Sequence, residues 1–386
     1  MMDISRAEKA VKDYLDKLIL ISEPLCPMWN RENFIFRKQA KWNYIDGCMI
    51  NALLMLYRVT GDKRLTEYSE KFIGAYVRED GTIPTMHTED FNLDNINGGK
   101  VLIKLWKLTG EPMYRRGFVR LYEEQLTKQP RLLCGSFWHK AIYPFQLWLD
   151  GSYMALPFMA EYAVMTEQSG IIEDVERQLG NIREKLRDVD TGLYYHGYDE
   201  TRSMNWADKT TGCSREFWLR AIGWLCAGLA DIAEILPDSD VCRGMLRDIL
   251  LSLCRYTDDD GMLYQLPVKR ELSGNYPETS GTLLFAYAMM KAERLGIVGD
   301  GSAGAKAFMT VTDRFITFTE DAPILGNICL MGGLGGDSGR DGSAEYYLGE
   351  KIVENDAKGI APYLMAFTEL KRRNGEINEI SDQTNA

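Results

Sequence analysis

The sequence predicts an all-α fold in which six helical hairpins close into a ring, an α/α toroid. Apolar residues recur at three- and four-residue spacing along most of the chain, as in residues 46–57, and this period is typical of amphipathic helices. Pairs of such helices, separated by short breaks, follow one another five times. Their intervals are too irregular for a solenoid, which keeps a tighter period. We therefore expect a closed ring rather than an open superhelix.

The five hairpins share one pattern, in which a Gly, Pro or polar turn ends one helix before a second begins. They start at Trp42, Leu93, Leu149, Trp218 and Glu278, and their breaks lie at residues 59–62, 108–111, 169–170, 236–238 and 296–304. Gly61 suits a helix C-terminus, and Pro112 suits a first helical turn. The sixth hairpin is expected from the last helix, residues 359–372, paired with the N-terminal helix, residues 5–21.

Few segments interrupt the helical pattern. Short strands are expected at residues 194–196 and 262–264, beside Gly and Asp turns. No linker rich in Pro or Ser divides the chain, so we predict one (α/α)6-barrel domain over residues 1–373 and a disordered tail over 374–386. Two loops, 129–147 and 326–342, are longer than a connection needs, which is typical of functional loops. The second is rich in Gly, which lets a backbone approach a ligand closely.

The composition argues against several classes of function. The 386 residues carry a net charge of −11, which argues against a nucleic-acid partner. The N-terminus lacks the apolar stretch of a signal peptide, and no apolar run approaches the roughly 18 residues of a membrane helix. Eight Cys without a CxxC pair are typical of reduced thiols, so we predict a cytoplasmic protein without a membrane partner. With three His and no clustered ligands, no metal site and no cofactor are predicted.

Two aspartates at hairpin starts are the candidate catalytic residues. Asp94 opens the second hairpin and Asp150 the third, both in apolar surroundings. In a ring such positions face one funnel, where two carboxylates can divide general acid and general base work if burial separates their pKa values. The alternative is that each Asp only caps its helix. The residues alone leave both interpretations open.

Aromatic and basic residues crowd the same openings, a combination typical of a carbohydrate cleft. The aromatic set is Trp42, Tyr44, Trp138, Trp148, Tyr153, Trp218 and Trp224. Any one of them is equally compatible with core packing. Arg220 lies between two Trp on an apolar helix, where it would bind a substrate carboxylate or pair with a structural Asp. His139 and His196 would donate to the substrate or serve as ordinary loop residues.

Several blocks of the sequence match a known family in the same order. They are WNYIDG (42–47), residues 93–96, FWHKAIYPFQLWLDGSYMALPF (137–158), GLYYHGYDE (192–200), GCSREFWLRAIGW (212–224), residues 278–281 and RDGSAEYYLGEKIVENDAKG (340–359). On these blocks the chain resembles the unsaturated rhamnogalacturonyl hydrolases of glycoside hydrolase family 105, which are related to the unsaturated glucuronyl hydrolases. The blocks around Asp150 and Arg220 are the most specific.

The resemblance implies an (α/α)6 barrel and an unusual hydrolysis. The substrate would be a small pectin-type, rhamnogalacturonan-type oligosaccharide that a lyase has left with a 4,5-unsaturated uronic acid at its non-reducing end. The enzyme would hydrate the C4=C5 vinyl ether, with Asp150 as acid/base and Asp94 assisting or orienting. By the same resemblance His139, His196, Trp218, Arg220 and Trp224 would line the sugar site, and Trp42 and Tyr44 join them from the aromatic set.

Three other functions are compatible with the same architecture. They are an unsaturated glucuronyl hydrolase, a sugar 2-epimerase, and a non-catalytic toroid that binds glycans or proteins. Epimerases of this architecture use His as bases, and a chain with three His fits that chemistry poorly. A convergent opening of Asp, Arg and Trp argues against a protein that only binds.

Overall fold

The computed structural model describes residues 2–336 and 339–375, which form fourteen α-helices with short strands between some of them. In chain order the helices are α1 (Ser5–Tyr14), α2 (Arg31–Phe36), α3 (Tyr44–Thr60), α4 (Lys63–Gly74), α5 (Gly99–Thr109), α6 (Pro112–Arg120), α7 (Leu149–Met165), α8 (Ser169–Leu186), α9 (Leu219–Ile235), α10 (Asp240–Cys254), α11 (Thr279–Arg294), α12 (Ser302–Phe315), α13 (Ala344–Gly349) and α14 (Ala357–Arg373). The strands are β1 (Gln146–Trp148), β2 (Gly197–Asp199), β3 (Ile316–Thr317), β4 (Ile324–Leu325), β5 (Ile328–Cys329) and β6 (Ile352–Val353).

Six of these helices form an inner ring. α3, α5, α7, α9, α11 and α14 pack in this order, and α14 packs against α3 to close the circle. At the second position the 3₁₀ helix Leu93–Gly98, which precedes α5, makes much of the contact with α3 and α7. α4, α6, α8, α10 and α12 each follow an inner helix and lie outside it. The predicted (α/α)6 toroid is confirmed.

The sixth hairpin joins the two ends of the chain, as predicted. The ring of Tyr14 in α1 lies 6.3 Å from the ring of Tyr363 in α14. The Lys371 ammonium of α14 lies 2.9 Å from the Glu8 carboxylate of α1. The Tyr14 hydroxyl also donates to Asn355, 341 residues away in sequence. Helix α1 is therefore the outer partner of α14.

All inner helices begin at the same end of the ring. Arg220, in the first turn of α9, contacts Ser280 in the first turn of α11, with 3.4 Å between guanidinium nitrogen and hydroxyl oxygen. At the opposite end, Arg294 in the last turn of α11 pairs with Glu234 of α9 and with Glu369 of α14, both at 2.8 Å. Because Asp150 lies in the first turn of α7, the predicted carboxylates belong to the end where the inner helices start.

The short strands differ from the prediction. The segment predicted as a strand at 194–196 precedes the observed strand β2, which pairs antiparallel with the distant β1 rather than within a local hairpin. At 262–264 only a single bridge forms, between Tyr264 and Pro277. Local pairing of these two segments is limited to single bridges, which include Tyr194 with Arg187, whereas β1 and β2 join segments that the ring brings together. No helix within the described residues is long and apolar enough to cross a membrane.

The Gly-rich loop approaches an aromatic ring closely. A Cβ added at Gly332 would lie 2.6 Å from the Trp218 ring, so only glycine fits there. Strand β5, at the start of this loop, pairs with β6 further along the chain. Leu334, later in the loop, packs against Trp148 and Trp206. The loop therefore supports the aromatic residues at the opening of the ring. Residues 337–338, and residues 376–386 of the predicted tail, lie outside the described residues.

Candidate active site

The register of one strand pair brings Asp150 to His196. In the β1–β2 ladder Trp148 lies opposite Gly197, and the next residue, Leu149, donates its backbone N–H to the His196 carbonyl at 2.9 Å. Asp150, two residues after β1, consequently lies beside His196, one residue before β2. The Asp150 Oδ2 atom is 3.0 Å from His196 Nε2. Within the described residues, Asp150 Oδ2 and His196 Nε2 have no hydrogen-bond partner apart from this contact with each other.

Asp94 is anchored to the same region by the long loop 129–147. The backbone N–H of Leu93 donates to the His139 carbonyl at 3.1 Å, and the His139 N–H donates to the Gln146 carbonyl in β1 at 2.9 Å. The Lys140 ammonium donates to Asp94 Oδ2 at 2.6 Å. His139 Nε2 lies 3.6 Å from Asp94 Oδ1. One loop therefore ties the second hairpin to the third.

Neither aspartate caps its helix, so the capping alternative is wrong for both. The N-cap position of α7 is Trp148, without a side-chain cap, and Asp150 is inside the first turn. The 3₁₀ helix that contains Asp94 is capped by Asn92, whose side chain accepts from the Asp94 N–H at 3.0 Å. Both carboxylates are therefore free of capping contacts, and their side chains are 16% and 13% exposed, enough to meet a ligand.

Basic groups surround both carboxylates. Burial alone would raise the pKa of Asp150, but its contact with His196 at 3.0 Å, together with the nearby His139 and Arg220, outweighs burial and lowers that pKa. Burial lowers the pKa of His139 to about 4, against the opposing effect of Asp94. Burial also acts to lower the pKa of Lys140, but the charge of Asp94 outweighs it and raises that pKa. At neutral pH the site therefore holds an ionised Asp150, a neutral His139 and a charged Lys140.

An aromatic wall connects the two histidines. Trp148 stacks on His139, with 4.8 Å between ring centroids, and meets His196 edge-on at 5.4 Å. Trp218 lies 4.8 Å from His196 on the other side, and Tyr347 stacks on Trp218 at 5.9 Å. The Asp94 and Asp150 carboxylates thus lie beside histidines that pack on this wall.

Arg220 lies behind this wall. Its guanidinium is 4.7 Å from the Trp218 ring centroid and donates to the Cys329 carbonyl and to Ser280. Within the described residues no carboxylate forms an ion pair with it, so the predicted structural pairing with an Asp is wrong. Tyr44 is partly buried in the same region, where burial, Glu32 and Asp94 raise the pKa of its hydroxyl.

Five predicted aromatic residues are buried; of these, Trp148, Tyr153 and Trp218 are 5%, 0% and 1% exposed. Trp42 is 6% exposed and donates its indole N–H to the Asn95 carbonyl at 2.7 Å. Trp224 is 1% exposed and stacks on Tyr153 at 4.7 Å. Trp42 therefore positions the 3₁₀ helix that carries Asp94, and Trp224 fills the centre of the ring below the aromatic wall.

Comparison with known proteins identifies the family. Residues 26–374 match the family model described as Glycosyl Hydrolase Family 88. The chain belongs to glycosyl hydrolase family 88. A solved family 105 glycoside hydrolase from C. acetobutylicum ATCC 824 is 34% identical with a TM-score of 0.83, covering 89% of this chain and 98% of that one. The resemblance to family 105 is thereby confirmed.

Two curated proteins are also similar to this hydrolase. Protein Atu3128 of Agrobacterium fabrum is 38% identical over 228 residues, which are 56% of this chain and 97% of that protein. The unsaturated rhamnogalacturonyl hydrolase YesR of Bacillus subtilis is 25% identical over 269 residues, 67% of this chain and 73% of that protein. The chain is a glycoside hydrolase, so the epimerase and the non-catalytic toroid are wrong.

The sequence analysis of the hydrolase missed two contacts of the candidate site. The Tyr347 hydroxyl is 2.7 Å from His196 Nδ1, on the side of the imidazole opposite Asp150. Lys140 pairs with Asp94. Both residues lie in blocks that match the family, 340–359 and 137–158, but their spacing from the aspartates gives no sign of contact. Only the folded ring brings Tyr347 to His196, across 151 residues.

Proposed function

We propose that this hydrolase releases the 4,5-unsaturated uronic acid from the non-reducing end of lyase-generated pectin oligosaccharides of rhamnogalacturonan type. The observation that carries the proposal is the Asp150 carboxylate, 3.0 Å from His196, whose ring packs against those of Trp148 and Trp218. The printed name of the Bacillus subtilis relative supports the substrate class. The aromatic wall is suited to a sugar ring, and the basic groups around it are suited to the carboxylate of a uronic acid.

The proposed reaction adds water across the C4=C5 bond. The Asp150 carboxyl group gives a proton to C4, and the positive charge that develops at C5 is shared with the ring oxygen. The resulting carboxylate takes a proton from a water molecule, whose oxygen bonds to C5. The hemiketal opens to a ketone at C5, which leaves a hemiacetal at C1 that releases the next sugar as an alcohol. Asp150 is regenerated, and one water is consumed.

Asp150 must hold a proton to begin this cycle, although its pKa is lowered in the free protein. A like charge within about 4–6 Å raises the pKa of a carboxyl group. The carboxylate of the bound uronic acid supplies such a charge. Substrate binding is therefore accompanied by uptake of a proton, which calorimetric titration in buffers of different ionisation enthalpy measures.

Asp94 has a different role in the proposal. Its carboxylate accepts from the Lys140 ammonium at 2.6 Å and would accept hydrogen bonds from sugar hydroxyls in the same way. Arg220 acts from behind Trp218, so its positive charge attracts the uronic carboxylate while its donors stay on Cys329 and Ser280. His139 and His196 lie on either side of Trp148 and would contact the same sugar.

The test is turnover of a panel of lyase-generated disaccharides, followed by loss of the conjugated double-bond absorbance. The rhamnogalacturonan disaccharide is expected to react fastest, and the greatest rate on a glucuronyl disaccharide would instead indicate an unsaturated glucuronyl hydrolase. An unsaturated thioglycoside is expected to react, because the proton goes to C4 and not to the glycosidic atom. The matching saturated uronide is expected to be inert. Cleavage of the saturated uronide with an inert thioglycoside would indicate a conventional two-carboxylate glycosidase.

A further inference from the structure

A second cavity lies at the opposite end of the ring from Asp150. It has a volume of about 250 Å³ and opens near the C-termini of the inner helices. Six cationic side chains line it: Arg58, Lys100, Lys104, Lys107, Lys291 and Arg372. Three carboxylates line it as well: Glu161, Asp231 and Glu234. Positive charge is therefore in excess on its wall.

The three carboxylates are already paired with other cations. Lys291 lies 2.8 Å from Asp231 and 2.7 Å from Glu234. Lys107 lies 2.9 Å from Glu161. Cations in the last turns of helices also complement the partial negative charge of the helix C-termini. Each of the three carboxylates therefore forms an ion pair. Two other lysines of the wall have no carboxylate within ion-pair distance.

Those two lysines are Lys100 and Lys104, in the first half of α5. The Lys100 ammonium donates to the Tyr153 carbonyl at 3.1 Å and lies 3.4 Å from the centroid of the Tyr153 ring. The Lys104 ammonium donates to the Asn51 side-chain oxygen at 2.8 Å. Within residues 2–336 and 339–375 no carboxylate forms an ion pair with either ammonium. Neither lysine is in the last turn of α5. The partial negative charge of the helix C-terminus therefore does not compensate their positive charges.

Burial without a counter-charge is costly for an ammonium group. Lys100 is 2% exposed, and burial lowers its pKa to about 8. Burial lowers the pKa of Lys104 as well. An anion in the cavity would relieve this cost for both groups. The charges of Asp231 and Glu161 offset this burial only in part for both lysines. Two ammonium groups without a carboxylate at ion-pair distance match an anion with two negative charges and several acceptor oxygens.

We propose that this cavity is an anion site that binds the phosphoryl dianion, either of free phosphate or of a small phosphomonoester. Lys100 and Lys104 donate to its oxygens. Phosphate bound there lies away from Asp150 and does not compete with the sugar substrate. Binding also stabilises the end of the ring where the inner helices converge, because a ligand that binds only the folded state favours that state.

The experiment is calorimetric titration of inorganic phosphate into the full chain at pH 7, at constant ionic strength set with chloride. One phosphate is expected to bind per chain. Lys104→Gln keeps a donor for Asn51 but removes the charge, so it is expected to weaken binding about tenfold or more. Lys104→Arg is expected to retain binding. Lys306→Met, on the outer helix α12 with its ammonium on the Asp259 carbonyl, is the matched control and is expected to bind as the unmodified protein does.

Glycerol 3-phosphate in a parallel titration distinguishes the two sources of the phosphoryl group. Tighter binding of the ester indicates a phosphorylated metabolite, and tighter binding of inorganic phosphate indicates the free ion. The hydrolytic kcat and KM of Lys104→Gln are expected to match those of the unmodified enzyme. The proposal is overturned if the unmodified chain does not bind phosphate at 10 mM, about the upper end for a weak small-ion site, or if Lys104→Gln, folded by circular dichroism, binds it equally well.

Discussion

Tyr347 sets the proton position on His196, and its removal tests the candidate site. Burial holds the pKa of the Tyr347 hydroxyl well above its usual value, so the hydroxyl keeps its proton. In the neutral imidazole it therefore donates to Nδ1 over 2.7 Å. The ring proton is then on Nε2, 3.0 Å from Asp150. Tyr347→Phe removes the donor to Nδ1, so that within the described residues the Asp150 carboxylate at Nε2 is left to favour this tautomer.

The expected effect is on the pKa of Asp150. A hydrogen bond to a charged group contributes about 1.5–3 kcal/mol, and one pKa unit corresponds to about 1.4 kcal/mol. Tyr347→Phe weakens the Nε2–H contact but does not remove it, because Asp150 still accepts from Nε2. The pKa of Asp150 should therefore rise by only part of this amount, up to about one unit. The measurement is a carboxyl ¹³C NMR titration, in which the resonance absent from Asp150→Asn identifies the group.

Tyr346→Phe is the matched control. Its hydroxyl accepts from the Gly333 N–H at 2.9 Å and its ring lies 5.0 Å from that of Tyr347, but Tyr346 makes no hydrogen bond with His196. The pKa of Asp150 is expected to stay unchanged in this variant. An unchanged pKa in Tyr347→Phe, or an equal rise in both variants, would refute the role of Tyr347 in setting the tautomer.

Three further outcomes are expected. Asp150→Asn should lower kcat by about 10²–10⁴-fold, toward the upper end, because the group serves as both acid and base; retention of a tenth of the activity in steady-state assays contradicts this. Arg220→Lys should raise KM more than it lowers kcat, because lysine lacks the planar fork that reaches both Cys329 and Ser280 and so holds the positive charge in place less well; an unchanged KM indicates a structural role. The pKa of His139 in the folded protein is about 4, below its usual 6.5. Between pH 4 and pH 6.5 the folded state therefore binds fewer protons at His139 than the unfolded state does. Stability should fall by up to about 3 kcal/mol as pH drops from 6.5 to 4, and urea unfolding of His139→Gln should lack this loss.

Much of the architecture could be predicted because its signals are local. The helical period, the αL glycine Gly61 at the end of α3 and Pro112 at the start of α6 are readable within a few residues. The closing of the ring by α1 and α14 followed from counting hairpins. The strand predicted at 194–196 is reduced to one local bridge, between Tyr194 and Arg187. The pairing of β1 with β2 was not predicted, because these strands come from separate hairpins.

The site was predictable only in its residue types. Asp150 and Asp94 stood out by their places in the hairpins, yet the sequence did not indicate which basic group each would meet. Asp150 meets His196 through a strand register, and Asp94 meets Lys140 through a loop. The depth of Arg220 behind Trp218 also depends on packing by the Gly-rich loop. Contacts between segments that are distant in sequence leave no repeating pattern of residues, so they cannot be predicted from one sequence.

The contact between the two ends of the chain has a consequence during protein synthesis. The buried face of α1, which includes Ala7, Ala10 and Val11, packs with helices from the far end of the chain, and Tyr14 bonds to a residue 341 positions later. At about 5–20 residues per second, this face waits roughly 20–70 s on the ribosome before its partner emerges. A chaperone that shields short apolar helices during that interval would raise the yield of folded hydrolase, and slower translation would lower it.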